Sequence, residues 1–137
     1  MSEKLTMVKI EETGESAYAV DIVVSDHHIK GDESVDAGGN DLGPSPYDVL
    51  TAALGECTAM TIRWYALHQK WPLQKVIVQL THRKENKTDI FTKHITLIGD
   101  ALTQEQRQKL IDIAVKCPVQ RTLEGTPIIE TSMNEGI

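Results

Sequence analysis

Two cysteines, Cys57 and Cys117, are the residues best suited to covalent chemistry in this chain. In a reducing compartment a structural disulfide is uncommon, so such a pair is reactive, metal-binding or simply packed. A cysteine becomes a nucleophile when helix amides or nearby cations stabilise its thiolate. Cys117 has one such source. Pro118 fits the first position of a short helix, so Cys117 would cap it with its sulfur at the positive end and Arg121 one turn away. Cys57 lies about three turns inside a longer helix and gains nothing from that helix's own end. Glu56 beside it would oppose thiolate formation if close. On residues alone the plain reading of Cys57 is inert packing.

Zinc sites show closely spaced Cys or His pairs, and neither cysteine has a second Cys or a His within four residues. His27 and His28 are adjacent, but neighbouring side chains on a strand point to opposite faces. No metal and no cofactor is expected. His68, His82 and His94 fall on helix or strand positions where a hydrogen-bonded structural role is expected.

The elements that must position the cysteines are readable in outline. Residues 7–10 and 18–24 are β-rich and flank turn residues 12–15, which predicts a hairpin. Residues 31–46 lack periodicity, and the run 38–46, with Gly38, Gly39, Gly43, Pro44 and Pro46, reads as an irregular loop. A long helix should start there. Ser45 suits the N-cap, Pro46 the first helical position, and the Asp48 carboxylate can meet free amides of the first turn. Leu50, Ala53, Leu54, Cys57, Met60, Thr61, Trp64 and His68 then recur at three- and four-residue spacing, predicting an inward stripe. Trp71-Pro72 closes it.

Alternation from Val76 to Arg83 and a second β-rich run over 91–98, separated by residues 84–87, predict another hairpin. Thr103 with Gln106 forms a capping-box pattern before a helix with Leu110, Ile113, Ala114 and Cys117 inward. Pro118 interrupts it. Residues 119–124 read as one more turn ended by Gly125, and residues 128–131 as a closing strand.

With 137 residues, 40% hydrophobic and 25% charged, the chain reads as a single domain, 1–137. A net charge of −6 argues against nucleic acid as partner. No apolar run approaches the roughly 20 residues of a membrane span, and Met1-Ser2-Glu3-Lys4 is not followed by a leader-like hydrophobic region. No membrane association and a cytoplasmic location are therefore expected.

The stretch Gly43-Pro44-Ser45-Pro46-Tyr47-Asp48-Val49-Leu50-Thr51-Ala52-Ala53-Leu54-Gly55-Glu56-Cys57-Thr58 resembles the central-helix signature of the OsmC/Ohr family, and its opening is most similar to a poorly characterised OsmC-like branch. Ala114-Val115-Lys116-Cys117-Pro118-Val119 with Leu123-Glu124-Gly125 is similar to that family's second cysteine motif. The resemblance implies an α+β fold, antiparallel sheets packed on a long central helix and a second helix, in an intertwined homodimer. It implies a two-cysteine peroxidase. Cys57 would be oxidised by an organic hydroperoxide to a sulfenic acid and condense with Cys117 to a disulfide, which a thiol or dithiol reductant reopens.

Two departures from the family pattern stand out. Family members hold the thiolate with an arginine from the N-terminal region and a glutamate just after the helix-opening proline. Here no arginine precedes Arg63, and the glutamate position matches Tyr47, with Asp48 next to it. Arg63, Arg121, Lys30 and the His27-His28 pair are the candidate cations. Two functions follow: an organic hydroperoxide reductase, or a redox-sensing or hydrophobic-ligand-binding protein of the same fold in which catalysis is weak or lost. A cysteine hydrolase or transferase lacks the histidine base that such chemistry needs near the nucleophile.

Overall fold

The computed structural model describes residues 4–134; Met1-Ser2-Glu3, part of the stretch on which the absence of a leader is read, lies outside them. In chain order the elements are β1 (Val8–Glu12), β2 (Val20–Val24), β3 (His27–Gly31), a 3-10 turn (Val35–Ala37), α1 (Pro46–Gln69), β4 (Lys75–Glu85), β5 (Thr88–Ile98), α2 (Gln104–Ala114) and α3 (Pro118–Glu124). Among the described residues this is an α+β chain with two antiparallel sheets and three α-helices, the expected class. Residues 1–52 and 53–137 form two compact units.

In the first unit the expected hairpin gains a third strand. Its sheet has the order β1-β2-β3, with Ile10 opposite Ile22 and Ile22 opposite Ile29. Ser25 and Asp26 join β2 to β3 with φ of 47° and 66°, the two-residue turn whose twist matches the strands. With no glycine there, the sequence carries a weak turn signal. The loop after β3 is organised by Asp32, a buried carboxylate that accepts hydrogen bonds from Ser16 Oγ (2.8 Å) and the amides of Glu33 (2.8 Å), Asn40 (3.0 Å) and Leu42 (3.2 Å). Burial raises its pKa, but these four donors outweigh burial and leave it lowered. Gly39 is required there, because a Cβ would lie 2.1 Å from the Glu33 carbonyl.

Helix α1 begins as its cap residues dictate. The Ser45 amide donates to Asp48 Oδ2 at 3.0 Å and the Asp48 amide donates to Ser45 Oγ at 3.3 Å, a reciprocal box around Pro46. Twenty-four residues later it ends at Lys70, whose φ of 57° lets the Trp71 amide reach the Ala66 carbonyl (2.9 Å) and the Lys70 amide reach that of Leu67 (3.2 Å). Its buried residues are Leu54, Gly55, Thr58, Ile62 and Ala66. This corrects the inward stripe predicted from sequence: Met60, Trp64 and His68 are exposed and Cys57 is only partly buried. Apolar residues ring much of α1, so periodicity alone does not define which side packs.

In the second unit β4 and β5 pair over their full lengths through Asn86-Lys87, whose φ values of 51° and 68° make a second two-residue turn. Val76, Val78, Leu80 and His82 on β4, with residues 90–93, Ile95 and Leu97 on β5, are the less exposed positions. Helix α2 opens with the full capping box between Thr103 and Gln106. Ile62, Ala66, Leu73, Leu102, Leu110 and Ala114 make the core, against which Tyr65, Trp71, Val76, Ile95 and Leu97 pack. Arg63 donates to the carbonyls of Leu73 (2.7 Å) and Gln74 (3.2 Å), fastening the segment between α1 and β4. His68 Nδ1 is 2.8 Å from the Trp64 carbonyl and His82 Nε2 is 2.9 Å from Asp89, while His94 lies on the hairpin's exposed side.

The closing strand expected at 128–131 does not form. Residues 126–134 carry no regular structure, and Ile128 and Ile129 are exposed. A strand requires a neighbour to share its ladder, and this segment pairs with none among the described residues.

Candidate active site

Both cysteines are free, and the fold of the second unit brings their thiols close enough that each shifts the ionisation of the other. Cys57 comes from the middle of α1 and Cys117 is the N-cap of α3. Gly55 sets how closely α1 approaches the hairpin: a Cβ there would fall 2.5 Å from Leu80 Cδ1, and Leu80 lies opposite Lys93. One turn further along the same helix, Thr58 reaches Lys93.

Cys117 is fully buried. Its sulfur accepts from the Gln120 amide at 3.4 Å and from the Thr58 hydroxyl at 3.6 Å. Burial pushes its thiol up, but the Gln120 amide, the Thr58 hydroxyl, the Cys57 thiol and the Lys93 charge together hold it below the ordinary cysteine value. Cys57 is pushed the other way. Burial raises its pKa, as does Cys117, while the Val119 amide and the Thr61 hydroxyl, 4.0 Å from its sulfur, lower it less. Two sulfurs so close cannot both ionise readily, so loss of the first proton makes the second harder to remove.

The cation at this pair is Lys93, which the sequence reading missed. Its ammonium donates to Thr58 Oγ1 (3.0 Å), to the Ala114 carbonyl at the end of α2 (3.0 Å) and to Gln120 Oε1 (2.6 Å). Burial draws its pKa down against the opposing charges of Cys117, Cys57 and Glu124. A signal was present: Lys93 falls between Phe91 and Ile95 at alternate positions of a strand that carries Phe91, Ile95 and Leu97 on the same face.

The remaining candidates are exposed or have other partners. Arg63 is occupied by the carbonyls of Leu73 and Gln74, Arg121 is exposed on α3, and Glu56 is exposed on α1. Asp48 serves the helix cap, and Tyr47 is half-exposed in the first turn, its carbonyl accepting from the Thr51 hydroxyl at 2.6 Å. Lys30 pairs with Glu15, and His27 and His28 are exposed on β3.

No helix among the described residues is long and apolar enough to cross a membrane. No curated protein matches the sequence. Solved structures do match in fold. An OsmC-like protein from Mycoplasma pneumoniae superposes with a TM-score of 0.76 at 16% identity, covering 90% of each chain. An organic hydroperoxide resistance protein from Legionella pneumophila gives 0.66 at 18% identity, covering 91% of this chain and 93% of that one. That of Bacillus subtilis gives 0.58 at 19% identity, covering 90% and 93%. The family model for OsmC-like proteins matches residues 38–132, more than two thirds of the chain and both cysteine motifs, and this chain therefore belongs to the OsmC-like protein family.

Proposed function

We propose that the protein is a thiol-dependent peroxidase that reduces organic hydroperoxides, with Cys57 as the attacking residue and Cys117 as the resolving one. The observation that carries this reading is that two free thiols shift each other's ionisation beside a half-buried ammonium, Lys93, which is tied to Cys117 through the Thr58 hydroxyl. Cys57 is the more accessible sulfur and meets the substrate. It attacks the distal oxygen, the O–O bond breaks, an alcohol leaves with a proton, and Cys57 becomes a sulfenic acid. Cys117 then attacks the Cys57 sulfur, water leaves, and a disulfide forms that an external thiol or dithiol reduces.

The same reading includes a homodimer. Met60, Trp64 and Leu67 are 63%, 57% and 64% exposed on α1. An apolar strip of this kind marks an interface, and a second copy covering it would give Cys57 an apolar approach. Light scattering of dilute protein should report a dimer; a persistent monomer overturns this part.

Each methylene that a substrate buries gains about 0.8 kcal/mol, and about 1.4 kcal/mol is a tenfold preference. Cumene hydroperoxide should therefore be consumed more than about tenfold faster than hydrogen peroxide, with a dithiol as reductant. Equal rates would reject the organic-substrate assignment. A single slow oxidation without turnover would favour redox sensing, the alternative that the raised Cys57 thiol supports.

A further inference from the structure

Thr58 and Cys117 are both 0% exposed, and the Thr58 hydroxyl stands between Lys93 and Cys117. That hydroxyl has one proton and two acceptors within reach: the Leu54 carbonyl of its own helix at 2.8 Å and the Cys117 sulfur at 3.6 Å. The Lys93 ammonium donates to the same oxygen at 3.0 Å, so one of its lone pairs is engaged and its proton is polarised outward. A charged acceptor makes the stronger hydrogen bond, so a thiolate at Cys117 draws the hydroxyl proton, and a neutral or oxidised sulfur releases it to Leu54.

We propose that Thr58 relays the charge of Lys93 to Cys117, so that the resting dithiol keeps its one negative charge on the buried sulfur and Cys57 is its protonated partner. Thr58 and Lys93 are then positioning residues for the resolving cysteine. The ionisable groups facing Cys117 are Cys57 on α1 and Lys93 on β5, with Glu124 on α3 acting on Lys93; Arg121 is exposed.

For its consequence this assignment rests on the peroxidase reading. As Cys57 attacks a hydroperoxide, its proton crosses to Cys117. The O–O bond breaks, the sulfur keeps OH, and the departing alkoxide takes the proton of the new sulfenic acid, which Cys117 replaces with its own, leaving Cys117 a thiolate again. Cys117 then attacks the Cys57 sulfur, the S–O bond breaks, and hydroxide leaves and is protonated by solvent. The resolving sulfur is thus ionised at the moment the sulfenic acid exists, which shortens its exposure to a second peroxide.

Thiolate absorbance at 240 nm, followed against pH, tests the relay without any turnover. In Cys57→Ser, Cys117 should titrate below the ordinary value of about 8.5. Adding Thr58→Val, which trades the hydroxyl for a methyl, should raise that midpoint enough to cut the thiolate at neutral pH about tenfold, and Thr58→Ser should restore it. Lys93→Met supplies the same readout from the other end of the relay. In Cys117→Ser, Thr58→Val should leave the Cys57 titration in place. An ordinary or raised Cys117 midpoint, no response to either variant, or an equal response of Cys57 overturns the relay. A relay shift in a protein that consumes no hydroperoxide would retain the relay and sink the peroxidase reading; turnover with no shift would do the reverse.

Discussion

Cys57→Ser is expected to lower hydroperoxide turnover by on the order of a thousandfold or more, because it removes the attacking sulfur and no other group in the pair can take its place. Cys117 is nearby but fully buried, so it meets Cys57 and not a substrate arriving from solvent. Cys117→Ser should behave differently. Its Cys57 sulfur still attacks once, giving close to one alcohol per chain, but the sulfenic acid has no internal thiol to condense with. It then waits for an external thiol or is carried on to the sulfinic acid, which ordinary thiols do not reduce. Mass spectrometry of the two variants after one equivalent and after excess cumene hydroperoxide distinguishes these states. Full turnover by Cys57→Ser, or unimpaired cycling by Cys117→Ser, would exclude the assigned roles.

The largest stability effect is expected from Leu110→Ala. Leu110 is fully buried on α2 among Ile62, Ala66, Leu73, Leu102 and Ala114. Truncation removes apolar contacts and leaves a cavity, at a cost of about 2–5 kcal/mol, against a total stability of about 5–15 kcal/mol for a typical domain. The effect should reach the site. One turn on, the Ala114 carbonyl accepts from Lys93, so a loosened α2 also loosens the cation that faces the cysteines. Denaturant unfolding should show the midpoint falling at unchanged slope; a loss under about 1 kcal/mol would mean that α2 is held mainly by its cap and by the Arg107 bonds to the Leu97 and Gly99 carbonyls.

What is legible in this sequence is what neighbours within a few residues decide. Ser45, Pro46 and Asp48 start α1, Thr103 and Gln106 start α2, and Cys117-Pro118 with Gly125 bound α3, because each cap satisfies amides one turn away. Both hairpins were readable for the same reason, the first from β-rich runs flanking turn residues and the second from alternation over residues 76–83, whereas β3 was not. The rotation of α1 was not, since Met60 and Trp64 look as apolar as Ile62, and it is packing against the hairpin at Gly55 and against the core of α2 that goes with Thr58 and Ile62 facing inward. The site cation was hidden in a similar way. Lys93 stands 35 residues from Thr58, and Thr58 stands 59 from Cys117. Their meeting depends on the register that sets Leu80 opposite Lys93 and on the core that seats α2 behind them. A thiol's ionisation depends on burial and on charges across such long separations, so the two cysteines were named by the chain itself, while which of them holds the charge was decided by packing.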